Sequence, residues 1–133
     1  MARYEHLPIY RKSFELAVYL EQVTAGFSKR HKYALGTRIQ DAAQAVLCRV
    51  VRAQNTGPAE RESELRELRL EVEVMKNLLH LGKEVQAFKS FNAYHHAAEL
   101  AVDVGRQTEG WLKSSLVPRS PESRPTNPQG SRS

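Results

Sequence analysis

The sequence lacks the features that membrane insertion, disulfide bonding and export require. Its apolar runs are far shorter than the ~20 consecutive apolar residues of a membrane-spanning helix. The N-terminal Met-Ala-Arg-Tyr-Glu-His-Leu-Pro has no apolar stretch like that of a signal peptide. The single cysteine, Cys48, cannot form an intramolecular disulfide. We therefore expect no membrane partner and a cytoplasmic location, with Cys48 as a small buried hydrophobic residue.

The sequence also has few groups that could converge for catalysis or metal binding. His95 and His96 are adjacent and face different directions on a helix, and His95 with Glu99 supplies too few ligands for a metal site. The glutamates of the third predicted helix include Glu60, Glu64, Glu67 and Glu71. Their spacing is typical of a solvated helix face with ion pairs of ~0.2–0.5 kcal/mol each, whereas a di-metal bundle needs inward-facing Glu-x-x-His pairs. We expect no enzymatic activity, no metal and no cofactor.

Positive charge is concentrated in part of the chain. The net charge is +5, and residues 1–56 hold nine Lys/Arg against four acidic residues. Residues 57–90 and 91–113 each carry a net charge of −1, and residues 114–133 carry +2. This asymmetry favours an anionic partner, although solvation of the surface is an alternative explanation of the charge.

Four segments carry apolar residues at the three-four spacing of an amphipathic helix. We predict helices over 8–28, 36–55, 59–87 and 92–113. Pro8 suits a first helical position, and Asn55-Thr56-Gly57-Pro58 is a strong break. The third helix has the clearest pattern, which consists of Leu65, Leu68, Val72, Met75, Leu79 and Gly82. Such a repeat is the seam of a left-handed bundle, in which Gly82 either admits a neighbouring backbone or marks a bend.

The arrangement of these segments predicts an all-α fold. No segment alternates with strand periodicity over a useful length, and the short connections should make neighbouring helices pack antiparallel. We predict that residues 1–113 form one antiparallel up-down four-helix bundle. Residues 114–133 are rich in Pro, Ser and Arg with almost nothing apolar, and we expect a disordered basic tail.

The candidate nucleic-acid-binding residues are cations of the first half of the chain. They are Arg11, Lys12, Lys29, Arg30, Lys32, Arg38, Arg49 and Arg52. Flexible cations on an exposed surface contact phosphates without reading sequence. Tyr33 either stacks on an unpaired base or packs in the core, and both interpretations stay open. Since neither Arg49 nor Arg52 lies on the apolar stripe of the second predicted helix, replacing both with Glu is expected to weaken binding and to leave helicity and oligomer mass intact.

The third helix has more apolar surface than the interior of one bundle requires. Met75, Leu78, Leu79 and Leu81 spread widely around it. Exposed apolar patches often mark contacts, so we expect Leu78 and Leu81 at a subunit interface of a homo-oligomer.

Residues 7–54 carry a recognisable pattern. It runs Leu-Pro-Ile-Tyr-Arg-Lys-Ser-Phe-Glu-Leu from Leu7, Phe-Ser-Lys from Phe27, and Tyr-Ala-Leu-Gly-Thr-Arg-Ile from Tyr33. This pattern resembles the four-helix-bundle family encoded by intervening sequences of ribosomal RNA genes. Within it, the sequence is most similar to the accessory variability determinants (Avd) of diversity-generating retroelements. Where the ribosomal branch has an Asn-Ile-Ala-Glu-Gly-like segment, this chain has the more basic Arg-Val-Val-Arg-Ala at 49–53.

The resemblance implies properties that the composition does not. It implies a homopentameric barrel of bundles that partners a retroelement reverse transcriptase and supports mutagenic copying of a template RNA, without catalytic residues of its own. Our leading hypothesis is therefore an accessory protein that binds RNA, DNA or their hybrid and also binds the polymerase. The alternative is a structural or scaffolding homo-oligomer whose basic residues are only solvated.

Overall fold

The computed structural model describes residues 7–116, which contain helices and no strand. The helices are α1 (Pro8–Ala25), α2 (Lys29–Lys32), α3 (Leu35–Asn55), α4 (Pro58–Glu84) and α5 (Phe91–Leu116). The all-α prediction is confirmed, and the four long helices correspond to the four predicted ones. The one addition is α2, a single helical turn within the first connection. The predicted basic tail lies largely outside the described residues, except that α5 runs three residues past its predicted end at 113.

Two helices end earlier than the sequence predicts, and the backbone explains both. At the end of α1, the Gly26 and Phe27 amides donate to the carbonyls three residues back, each at 3.0 Å, which tightens the last turn. At the end of α4, Gln86 adopts a left-handed conformation with φ of 60°. The Ala87 amide then donates to the Gly82 carbonyl at 2.9 Å, and the Gln86 amide donates to the Lys83 carbonyl at 3.0 Å. These two bonds form a Schellman motif, which stops α4 at Glu84 instead of 87.

Side-chain contacts fix the directions of the four long helices. The pairs are Thr24–Gln40 and Glu21–Gln44 between α1 and α3, Ala53–Arg61 and Arg49–Glu64 between α3 and α4, Arg69–Glu109 and Lys83–Tyr94 between α4 and α5, and Lys12–Asp103 and Tyr19–Ala93 between α1 and α5. In every set the residue numbers rise on one helix as they fall on the other. The long helices therefore alternate in direction, and α5 returns to pack against α1, which closes the bundle.

The core includes the whole predicted seam of α4, from Leu65 to Gly82. The largest fully buried side chains are Leu16, Leu20, Ile39, Leu65, Leu68, Met75, Leu79 and Leu112, together with four valines. Gly82 is also buried, and the Phe88 ring fills the space beside it, so the expectation that Gly82 admits a neighbouring backbone is wrong. The expectation for Cys48 is wrong as well, since this residue is exposed. Val46 and Val50 on either side are buried, and a position midway between them faces the opposite side of a helix.

Within the described part of the chain, no helix is both long and apolar enough to cross a lipid bilayer.

Candidate nucleic-acid interface

One end of the bundle gathers positive charge. It consists of α2, the start of α3, the end of α4 and the α4–α5 connection, which are residues 26–41 and 81–91. These two ranges contain six Lys/Arg, against the acids Asp41 and Glu84. We call the six cations the basic end; they are Lys29, Arg30, Lys32, Arg38, Lys83 and Lys89. The predicted residues Lys29, Arg30, Lys32 and Arg38 are thus brought together, and all except the half-buried Lys32 are exposed.

Lys83 and Lys89 join this end through the fold, and the sequence reasoning missed them. The Lys89 side chain lies against Gly26, and its Cδ is 3.3 Å from the position that a methyl group on Gly26 would occupy. The Lys83 ammonium lies 5.6 Å from the centre of the Tyr94 ring and 3.3 Å from Glu84. About fifty residues of chain separate these lysines from α2, so no local pattern links them to it.

Tyr33 lies beside a groove at this end. Its side chain is 72% exposed, so the interpretation that Tyr33 packs in the core is wrong. The Lys32 ammonium sits 5.6 Å from the centre of the Tyr33 ring. The groove has a volume of about 460 Å³ and is lined by Tyr33, Ala34, Leu35, Thr37, Arg38, Leu78 and Leu81. A predicted phosphate contact, Arg38, and the two predicted interface leucines therefore share one groove.

The other four predicted cations lie apart from the basic end. Arg38 and Arg49 are eleven positions apart on α3, which corresponds to about 16 Å. Lys12 is 3.6 Å from Glu15 and 4.0 Å from Asp103, and Arg11 and Arg52 are exposed. The predicted residues thus form two groups at different heights along the bundle.

Arg49 connects two helices. Its Nη1 donates to Glu64 at 2.9 Å, while its Nη2 and Nε donate to the two oxygens of Glu71 at 3.0 and 3.3 Å. The side chain is only 21% exposed, and the bonds to Glu71 and then Glu64 raise the pKa of Arg49 above its usual value. Replacing Arg49 with Glu would set a third carboxylate against these two. We therefore expect the paired Arg49→Glu/Arg52→Glu replacement to weaken the packing of α3 on α4, an effect that the helical pattern alone does not indicate.

A second apolar face runs along the outside of α4. Its members are Leu70, Val74, Leu78, Leu81 and Val85, which we call the outer stripe. Leu70 is 58% exposed and Leu81 is 48% exposed, whereas Leu78 is half-buried and packs partly against the core. The stripe runs over sixteen residues and about 22 Å, from Leu70 to Val85, the residue that follows the end of α4. Two of its members, Leu78 and Leu81, line the Tyr33 groove.

A family model described as bAvd-like matches residues 8–115, which include all five helices except Leu116, the last residue of α5. The chain belongs to the bAvd-like family. The match agrees with the resemblance of the sequence to Avd proteins. Proteins of this family are accessory, non-catalytic proteins. No curated protein matches the chain.

The charged side chains of this bAvd-like protein differ in the ligands that they could bind. Residues 7–116 contain no group of three or more His, Cys, Asp or Glu residues placed to hold a metal ion. His80 contacts Glu84 at 3.5 Å, and His95 contacts Glu99 at 3.2 Å. Each contact joins two exposed side chains one turn apart on the same helix. The basic end, by contrast, offers several exposed ammonium and guanidinium groups within one region of surface.

Proposed function

We propose that this bAvd-like protein is a non-catalytic accessory protein of a diversity-generating retroelement. It binds RNA, DNA or their hybrid through the basic end and partners the retroelement reverse transcriptase during mutagenic copying of template RNA. Membership of the family supports the retroelement context. The observation that supports nucleic-acid binding is the basic end, since this region of the chain contains six cations and only two acids.

Binding at the basic end requires no particular base sequence. Lysine and arginine side chains contact phosphates, which carry no base information. Each phosphate neutralised on a duplex releases counterions, so affinity falls with salt with a log–log slope of about −0.9 per contact. Arg11, Lys12 and Arg52 lie outside the basic end, and they are further candidates for contact with the nucleic acid or the polymerase.

Assembly strengthens this binding. Six cations on a single chain give weak binding at physiological salt, whereas a ring repeats them. We propose a homo-oligomer, a pentamer by the family resemblance, in which the outer stripe of α4 is covered by the next subunit. In a closed cyclic assembly, equivalent ends of all subunits lie on the same rim. The basic end would then recur around that rim.

The test compares two triple variants by fluorescence anisotropy with a labelled hybrid duplex. Lys29→Gln/Arg30→Gln/Arg38→Gln removes cations of the basic end, whereas Arg66→Gln/Arg106→Gln/Lys113→Gln removes three exposed cations elsewhere. We expect the first variant to bind the hybrid duplex more weakly, with a smaller slope of affinity against salt concentration. The second variant should change the affinity and the slope much less.

Two outcomes would contradict the proposal. Equal losses from both variants would mean that binding is not located at the basic end. No binding by the wild-type protein would favour the scaffolding alternative. Co-purification with the co-expressed reverse transcriptase tests the polymerase partnership separately.

A further inference from the structure

A second groove at the basic end lies where α4 passes into α5. It has a volume of about 300 Å³ and is lined by Lys83, Gln86, Phe88, Lys89, Ser90, Phe91 and Tyr94. We call it the Phe91 groove. The left-handed turn at Gln86 reverses the chain, so that Lys83 from α4 and Lys89 from the connection line the same groove.

Phe91 is an exposed aromatic ring with two neighbouring rings on α5. Its side chain is 63% exposed although it is large and apolar. The ring lies 5.7 Å from His95 at an interplanar angle of 19°, and 5.8 Å from Tyr94. The first turn of α5 is also capped, because the Ala93 amide donates to Ser90 Oγ at 3.1 Å. Phe91 thus presents an aromatic surface that the bundle core does not use.

The charge around this ring suits a nucleotide. Lys89 is exposed with its methylenes against Gly26, and Lys83 approaches the Tyr94 ring. Glu84, 3.3 Å from Lys83, offsets part of that charge. A groove that combines aromatic rings with cations is the arrangement by which proteins hold single-stranded nucleic acid, since bases stack on the rings and phosphates contact the cations.

We propose that the Phe91 groove binds an unpaired nucleotide, with its base stacked on Phe91 and its phosphate near Lys89 and Lys83. This proposal rests on the proposed function and adds a site that distinguishes single strands from duplexes. Bases within a duplex are already stacked on each other and cannot reach the ring. The protein therefore prefers nucleic acid with an unpaired extension over a blunt duplex. Tyr33 is the less suitable ring for this role, because its groove adjoins the leucines of the outer stripe.

The experiment measures affinity for a blunt hybrid duplex and for the same duplex with an unpaired extension of several nucleotides. We expect tighter binding of the extended substrate by the wild-type protein. Phe91→Ala should weaken binding of the extended substrate by about 5- to 150-fold, the range found for loss of base–aromatic stacking, and leave binding of the blunt duplex unchanged. Phe91→Trp keeps an aromatic surface and should retain the preference. Val102→Ala is the matched control, since Val102 is another exposed apolar residue of α5.

A 2-aminopurine placed in the extension reports stacking directly. Its fluorescence should be quenched on binding to the wild-type protein and to Phe91→Trp, and less so with Phe91→Ala. If Phe91→Ala retains both the preference and the quenching, the Phe91 groove does not bind nucleotides, although duplex binding at the basic end can still hold. If the wild-type protein binds neither substrate, the proposed function and this inference both fail.

Discussion

Arg49 and Arg52 lie three positions apart on α3, and their surroundings differ. Arg49 donates three bonds to Glu64 and Glu71 on α4, whereas Arg52 is exposed to solvent. Removing one partner from a half-buried charged network leaves the other charges poorly compensated. Arg49 therefore contributes to the packing of α3 on α4, and Arg52 remains available to a ligand.

We predict that Arg49→Gln lowers the free energy of unfolding by about 1–2 kcal/mol, because hydrogen bonds to charged groups contribute this much when partly shielded from water. Arg52→Gln should change it by less than about 0.5 kcal/mol, as is usual for exposed positions. Chemical denaturation of the two variants and the wild type measures both values. Equal stability of the two variants would show that the Arg49 bonds add nothing.

Gly82 and Gly110 are both helical, but their neighbours differ. A methyl group on Gly82 would lie 2.7 Å from the edge of the buried Phe88 ring, which itself packs against Phe27 and Tyr94. Apart from its two chain neighbours and the nearby backbone of its own helix, a methyl group on Gly110 would meet no atom of the described residues within 4 Å. The same substitution should therefore have opposite effects at the two sites.

We predict that Gly110→Ala raises the melting temperature, since Ala is favoured over Gly in a helix by roughly 1 kcal/mol. Gly82→Ala should lower it, because displacing the Phe88 ring costs more than the helix propensity returns. Thermal unfolding followed by circular dichroism compares the two. A gain in stability at Gly82 would mean that the Phe88 ring moves aside freely.

At the scale of the element, α4 has two apolar faces with different roles. The seam from Leu65 to Gly82 is buried against the other long helices, whereas the outer stripe from Leu70 to Val85 is largely exposed. The same residue type should therefore have different effects on stability according to its face.

We predict that Leu68→Ala, at a fully buried site, costs ~2–5 kcal/mol of stability from lost transfer energy and the cavity left behind. Leu70→Ala, at a 58% exposed site two positions away, should cost much less at protein concentrations where the chain is monomeric. Denaturant titration of both variants tests this. A large loss at Leu70 in the monomer would contradict the assignment of the two faces.

At the scale of the whole molecule, the outer stripe bears on assembly. We predict that the wild-type protein sediments as an oligomer at micromolar concentration. Val74→Glu/Leu81→Glu should reduce its mass toward that of a monomer without loss of helicity, because charge on a covered apolar surface opposes association. Val102→Glu, on the exposed face of α5, is the control. A wild-type monomer in analytical ultracentrifugation would end the assembly proposal.

Much of the fold was accessible from the sequence because helix burial has a local period. The apolar seam of α4 and the break at Gly57–Pro58 were enough to locate its start and its buried face. The C-terminal end of α4 was not predictable from the sequence, because the left-handed residue that stops the helix is Gln86 and not a glycine. The site was predictable only in part: the cations of α2 are adjacent in sequence, while Lys83 and Lys89 join them through the path of the chain.

The sequence by itself determined the helical class, the four long segments, the core face of α4 and the family to which the chain belongs, since these depend on residues close together in the chain. Only the tertiary structure decided which charges are neighbours. Antiparallel packing sets the α4–α5 connection beside α2, which adds two lysines to the basic end and lines a groove with Phe91. The same packing brings Arg49 within reach of Glu64 and Glu71. Charge interactions depend on distance in space, and the sequence gives distance along the chain alone.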